Sequence, residues 1–86
     1  MNKTTEIPKG ERIARILTHM IRNHDKYFTT QEIMEYLSSR AGIVSLRNVQ
    51  RDLKLLGGIQ SCPVEAKYRG GKLYWWVSKH YIRSLS

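Results

Sequence analysis

The sequence predicts an α+β fold of three helices followed by a β-hairpin, with a short strand between the first two helices. Apolar residues recur at helical spacing in three segments before residue 58, and they alternate with polar residues beyond it. Two adjacent glycines at 70 and 71 mark a turn between two strands. The 86 residues, 41% of them hydrophobic, suit a single domain. We expect a flexible arm at 1–9, the domain at 10–78 and a tail or short helix at 79–86.

The first helix is predicted from Gly10, where an apolar stripe begins that leaves Arg12 and Arg15 on other faces. It fades at 23–25, where Asn, His and Asp favour a turn, and a short extended piece follows at 27–29. The apolar stripe consists of Ile13, Ile16, Leu17, Met20 and Ile21.

Two further helices are predicted by capping residues that precede apolar stripes. Thr29 and Glu32 have the spacing of a capping box at the start of the second helix. Gly42 is expected to be a left-handed residue past its end. Ser45 is expected to cap a third helix at about 45–56, which the glycines at 57 and 58 end. The inward positions are Ile33, Met34 and Leu37 on the second helix and Leu46, Val49, Leu53 and Leu56 on the third.

After residue 58 the apolar residues alternate as they do in strands. One predicted strand turns Val64, Ala66 and Tyr68 to one face, and the other does the same with Leu73, Trp75 and Val77. The resulting order is helix, short strand, helix, helix and hairpin. This order predicts a winged helix-turn-helix, in which the hairpin is the wing.

The charge indicates a polyanionic partner. Fifteen Lys and Arg against seven Asp and Glu give a formal net charge of +8 and a pI near 10.0. This favours nucleic acid first and an anionic membrane surface second. The single Cys62 provides no thiol pair, and the three histidines lack metal-ligand or catalytic spacing. We expect no enzyme activity, cofactor, small-molecule effector or membrane association, and a cytoplasmic location, with the nucleoid if the source is bacterial.

The third helix carries the candidate contacts to double-stranded DNA, because the second helix of a helix-turn-helix enters the major groove. Arg can bond guanine through two hydrogen bonds, and Asn or Gln can do so with adenine. We assign Arg47, Asn48 and Gln50 to bases and Arg51 and Lys54 to phosphates.

Further contacts are predicted outside that helix. Thr30 and Ser45 can donate to phosphates at helix starts, and the wing at 69–72 can lie on the backbone or enter the minor groove. The wing contacts are Arg69, Gly70 and Lys72. We place Trp75 in the core, so that Trp76 is partly exposed. The candidates for a protein interface are Tyr74, Trp76, Tyr81, Ile82 and Leu85.

The run Ser45-Leu46-Arg47-Asn48-Val49-Gln50-Arg51-Asp52-Leu53 resembles the recognition helix of DeoR-like and WYL-domain bacterial regulators, whose usual pattern is S-x-R-T-V-x-R-D-L. Asn48 stands where the family has Thr, and the likeness covers residues 11–77. The resemblance implies operator binding through 45–56, with the hairpin as wing. The segment 38–44 is longer than the usual turn, so either the helices meet at another angle or the second helix runs on. The family's sensor domain does not follow, which suggests regulation without a ligand, reliance on a partner, or a fragment.

The leading interpretation is a sequence-specific transcriptional regulator, most simply a repressor that binds a two-fold DNA site as a homodimer. Two alternatives stay open: a winged helix used as a protein-interaction module, and an architectural DNA-binding protein without sequence preference.

Overall fold

The computed structural model describes residues 6–40, 42–58 and 63–84. Its helices follow the predicted order, and a fourth, short helix forms in the segment expected to be a tail or helix. They are α1 (Lys9–Arg22), α2 (Thr30–Arg40), α3 (Leu46–Gly58) and α4 (Lys79–Ser84). No helix in the described ranges is long and apolar enough to cross a membrane.

Three antiparallel strands form one sheet in the order β1-β3-β2, where β1 is Phe28–Thr29, β2 is Val64–Arg69 and β3 is Lys72–Val77. Phe28 lies opposite Trp75, so the short strand before α2 extends the hairpin by one strand. The two turn residues, Gly70 and Gly71, have φ values of 59° and 83°. Both values lie in the region that glycine adopts without strain, which confirms the predicted two-residue turn.

One face of the sheet packs against the helices. β3 contributes Trp75 and Val77 to the core, and β2 contributes Val64. Ala66 and Tyr68, predicted to share the inward face of β2, are exposed instead. The inward face of the wing therefore extends past the edge of the core. The helical members of the core include Ile16, Met20, Ile33, Leu37, Val49, Leu53 and Leu56.

The predicted caps are formed. The Glu32 backbone N–H donates to Thr29 Oγ1 at 3.2 Å, and the Thr29 N–H donates to Glu32 Oε1 at 2.9 Å, which completes the capping box. The Asn48 N–H donates to Ser45 Oγ at 3.1 Å and starts α3. α2 runs on to Arg40, and Gly42 beyond it has a positive φ of 134°.

Three further predictions differ from the structure. Ile7, expected in a flexible arm, is 4% exposed, and its N–H donates to the Ile43 carbonyl at 3.0 Å. Leu46, expected in the core, is exposed because it is the first residue of α3, while Val44 before the helix is buried. The glycines at 57 and 58, expected to end α3, are its last two residues.

Gly57 has a packing role that explains its place inside α3. A Cβ at this position would lie 3.3 Å from Cζ3 of Trp75. The absence of a side chain lets the end of α3 approach β3 closely, while Val64 at the start of β2 also lies next to Gly57.

Candidate nucleic-acid interface

The outward face of α3 holds the residues that were predicted to contact DNA. Arg47, Gln50, Arg51 and Lys54 are all exposed. At about 100° of rotation per residue they fall within an arc of roughly 100°, and the half-buried Asn48 lies about 60° beyond its edge. The ion pairs found within 6–40, 42–58 and 63–84 involve none of the three α3 cations. This arc is therefore a surface of positive charge and amide groups.

The opposite face of α3 includes a charged residue that the sequence pattern did not assign to the core. Asp52 is 1% exposed, and its carboxylate forms a bidentate ion pair with Arg12 of α1. Arg12 Nε donates to Asp52 Oδ2, and Nη2 donates to Oδ1 at 3.1 Å. Arg12, which was expected on a polar face, is 7% exposed, so that expectation was wrong.

The ion pair connects three separate parts of the chain. Arg12 Nη1 also donates to the Ile7 carbonyl at 3.1 Å, so one guanidinium joins the N-terminal segment, α1 and α3. The hydrogen bond to Asp52, opposed in part by burial, raises the pKa of Arg12 above its ordinary value. Because Asp52 directly follows Arg51, the pair fixes the rotation of α3 and hence the direction of the exposed arc.

The starts of α2 and α3 each carry a hydroxyl group that was predicted to contact phosphate. Ser45 is exposed, and its Oγ accepts the Asn48 N–H, as described above. Thr30 Oγ1 accepts a hydrogen bond from Trp75 Nε1 at 3.1 Å. Because Thr30 acts here as an acceptor, its hydroxyl keeps a proton to donate to a ligand. The core tryptophan thus also orients Thr30.

A groove of about 410 Å³ lies between the start of α2, the outward face of α3 and the wing. We call it the α3–wing groove. It brings together Thr30, Gln50, Lys54 and Lys72, four residues predicted from three different elements. Its remaining lining residues are Thr29, Gln31, Tyr68, Leu73 and Trp75.

The wing residues do not all face this groove. Arg69 and Gly70 line a second groove, of about 680 Å³, which we call the outer groove. Lys67 and Tyr74 are paired across the strands and also line it, as does Trp76. Trp75 lies between Tyr74 and Trp76 on β3 and points into the core. Since neighbouring side chains of a strand point to opposite faces, the outer groove lies on the face of the sheet away from the core. The predicted wing contacts are therefore divided between two grooves, with Lys72 in the first and Arg69 and Gly70 in the second.

The aromatic residues of the outer groove are ordered by contacts with their neighbours. Trp76 Nε1 donates to Glu65 Oε1 at 3.0 Å, and the Trp76 ring lies 5.0 Å from that of Tyr27 at an angle of 43°. Trp76 and Tyr74 are half-buried, as predicted for Trp76. In the tail, Tyr81 and Ile82 are half-buried against the core of their own chain, and Leu85 lies outside the described residues, as does Cys62.

Two residues that line the α3–wing groove and are candidates for contact with DNA were not identified from the sequence. Tyr68 is 72% exposed on the wing and lines the α3–wing groove, where Gln31 from the first turn of α2 joins it. Tyr68 occupies an inward position of β2, so alternation alone assigned it to the core. The signal that could have found it is the length of the strand, which continues beyond the last buried residue, Val64.

Three further observations concern other kinds of site and known proteins. In the described part of the chain, no group of three or more His, Cys, Asp or Glu side chains could hold a metal ion. No protein-family model matches the chain, and no curated protein does either. The resemblance to DeoR-like and WYL-domain regulators therefore stays a prediction.

Solved structures do match the fold. One match is a structure from HOP2, which concerns the DNA recognition and protein interaction domains of that protein. The matched region covers 78% of this chain and 98% of the HOP2 chain, with a TM-score of 0.64 and 16% identity. The ferric uptake regulator from Francisella tularensis, solved with iron, covers 91% of this chain, with a TM-score of 0.68 and 15% identity. This chain has the winged-helix fold. It spans 55% of the length of the ferric uptake regulator chain.

Proposed function

We propose that this protein is a sequence-specific, double-stranded-DNA-binding transcriptional regulator, most simply a repressor. The observation that carries the proposal is the exposed arc of cations and amides on α3, next to a wing and a capped helix start. In the proposed complex, α3 lies in the major groove of the DNA. There Arg47, Asn48 and Gln50 contact the bases.

The α3–wing groove supports a phosphate path beside that helix. Lys54 and Lys72 supply charge from two elements, and Thr30 supplies a hydroxyl that Trp75 orients. Contacts with phosphates fix the position of a protein along the duplex. Side chains that contact bases need this fixed position to distinguish one base pair from another. Arg51 belongs to the same set of phosphate contacts.

The names of the structural neighbours agree with this proposal. The HOP2 structure concerns the DNA recognition and protein interaction domains of that protein, and the other neighbour is a regulator. We also propose membership of the DeoR-like group on the strength of the helix motif, and a non-enzymatic, cytoplasmic role. The buried Asp52 explains the Asp of that motif as the anchor of α3.

We propose a homodimer on a two-fold site, in which the half-exposed parts of Tyr81 and Ile82 contribute to the contact. Sedimentation of the protein alone and with a selected duplex tests this assembly. A monomer in the first experiment and a single protein copy per duplex in the second would contradict it.

Alanine substitution on α3 tests the function. A duplex is first selected from a randomised pool with the wild-type protein. Gln50→Ala is expected to reduce discrimination between the selected and altered duplexes by about 1–3 kcal/mol, because an amide-to-base pair is lost. Arg51→Ala is expected to weaken binding to all duplexes alike, because phosphate contacts carry no sequence information.

Arg22→Ala is the matched control. Arg22 is exposed on α1, lines neither groove, and its loss changes the net charge by the same amount as the loss of Arg51. If Arg22→Ala weakened binding as much as Arg51→Ala, the affinity would arise from net charge rather than from α3. If the α3 variants bound DNA as the wild type does, the protein-interaction module would be the better account.

A further inference from the structure

The residues of the outer groove have no role in the proposed binding of duplex DNA by α3. The groove is lined by three aromatic side chains, Tyr27, Tyr74 and Trp76, together with Lys67 and Arg69. It lies on the face of the sheet that points away from the core. A volume of about 680 Å³ is within the range of sites that enclose small organic groups.

We propose that the outer groove binds single-stranded nucleic acid, with bases stacked on the aromatic residues and phosphates beside Lys67 and Arg69. Proteins that bind single strands combine a positively charged groove with aromatic side chains on which successive bases stack. The outer groove holds both components. This proposal does not depend on duplex binding by α3.

The pairing of β2 with β3 brings a positively charged side chain next to an aromatic ring. Lys67 lies directly opposite Tyr74 on the neighbouring strand. A base on the Tyr74 ring would therefore have its backbone within reach of the Lys67 ammonium group. Arg69 continues the positive charge along β2 towards the turn.

Two of the three aromatic side chains, Trp76 and Tyr27, are held in place before any ligand binds. Glu65 accepts the Trp76 indole N–H at 3.0 Å, and Tyr27 packs at a tilt of 43° against the same ring. Ordered rings lose less conformational entropy on binding than mobile ones. That hydrogen bond uses one oxygen of the Glu65 carboxylate, which is turned to Trp76.

Charge complementarity selects an anionic occupant, and the aromatic residues select one with flat rings. An acidic peptide would satisfy Lys67 and Arg69 but would leave the three rings without a specific role. Nucleic acid satisfies both, because each phosphate is accompanied by a base.

Tryptophan fluorescence tests the proposal, with a short oligothymidylate as the probe. Trp75 is 3% exposed and lines the other groove, so quenching by a base in the outer groove is expected from Trp76, and Trp76→Leu checks this assignment. We expect saturable quenching, and we expect Tyr27→Ala to lower the affinity about fivefold or more, the loss typical of one stacked base. Tyr27 is 55% exposed, so its truncation leaves the core intact.

Matched variants separate this site from the α3 face. Lys67→Ala is expected to weaken oligothymidylate binding more than Arg22→Ala, which removes the same charge elsewhere. Arg51→Ala is expected to retain the quenching, and Tyr27→Ala is expected to retain duplex binding. Failure of duplex binding with intact quenching would count against the proposed function alone.

Several results would overturn the inference. These are the absence of quenching, wild-type affinity in Tyr27→Ala, or equal effects of Lys67→Ala and Arg22→Ala. Quenching that survives Trp76→Leu would also contradict it, since Trp75 would then be the source. If that variant does not fold, Tyr27→Ala and Lys67→Ala decide the matter. Polyglutamate that competes as well as oligothymidylate would reveal an acidic-polypeptide site instead.

Discussion

Among single residues, Asp52 connects the packing of α3 with the direction of its exposed side chains. It lies between Arg51, which faces outward, and Leu53, which is in the core. Its carboxylate is paired with Arg12 at two atoms and is almost completely buried. A buried charge without its partner is very unfavourable, so each member of the pair requires the other.

Asp52→Asn is expected to lower the free energy of unfolding by about 3–5 kcal/mol, because it leaves the Arg12 guanidinium buried without its counter-charge. Urea denaturation followed by circular dichroism measures the change. The matched control is Glu11→Gln, which removes the exposed pair of Glu11 with Arg15 and should cost less than about 1 kcal/mol. Equal effects of the two substitutions would contradict the anchoring role of Asp52.

His19 gives a second residue-level prediction, which concerns pH. Its ring stacks on that of Tyr36 at 3.6 Å between centroids, and the ring of Phe28 lies 5.1 Å away. Burial is the main cause that lowers the pKa of His19 below its ordinary value, and the positive charges of Lys26 and Arg40 act in the same direction. The folded protein therefore favours the neutral imidazole.

The unfolded chain binds a proton at His19 more readily than the folded one does, so acidification favours unfolding. The stability contributed by neutral His19 is present above the ordinary histidine pKa of about 6.5 and is lost as the pH falls from there towards the lowered folded value. We expect Tm to fall between pH 7.5 and 5.5. His19→Phe keeps the stacking and should flatten this pH dependence. An equally steep decline in the variant would assign the effect to other groups.

At the scale of elements, the helices and the hairpin were predictable because their signals are local. The Thr29–Glu32 capping box, the Ser45 cap and the alternation of β3 each depend on residues a few positions apart. The Arg12–Asp52 pair was not predictable in this way, since 40 positions separate its partners. Charged residues normally remain in water, so patterning alone placed Arg12 outside.

Two other differences also depend on tertiary contacts. Gly57 was interpreted as a helix breaker, whereas its place in α3 is explained by the neighbouring Trp75 ring. The division of the wing contacts between two grooves required knowledge of where the core ends, because Tyr68 has an inward position but no core beneath it. The base-contact residues of α3 were predicted by residue type, and their outward placement follows from the helical repeat.

The turn of the wing yields a prediction at this scale. Gly71→Ala is expected to destabilise the protein by about 1–2 kcal/mol, because its φ of 83° is unfavourable for a residue with a Cβ. Gly58→Ala is the control: among the described residues a Cβ there meets nothing within 4 Å, and the position is helical. It should raise stability by about 0.5–1 kcal/mol. Thermal denaturation measures both, and a loss of stability in both variants would contradict the argument from φ.

At the scale of the whole molecule, six of the fifteen Lys and Arg residues lie on two differently built surfaces. The α3 arc and the α3–wing groove combine cations with amide and hydroxyl groups, which suits base edges and phosphates of a duplex. The outer groove combines cations with aromatic rings on the other side of the sheet. The wing lies between these surfaces and contributes residues to both.

The measurement that tests the central claim most directly is a fluorescence-anisotropy titration of duplexes selected from a randomised pool, against the pool itself, at two salt concentrations. The account predicts that selected duplexes bind far more tightly than the pool. It also predicts that log affinity falls linearly with log salt, with a slope of about 0.9 per phosphate contact, and that Arg51→Ala reduces this slope by about one contact. Equal affinity for selected and random duplexes would contradict sequence-specific recognition by α3, and so would an absence of binding at moderate salt.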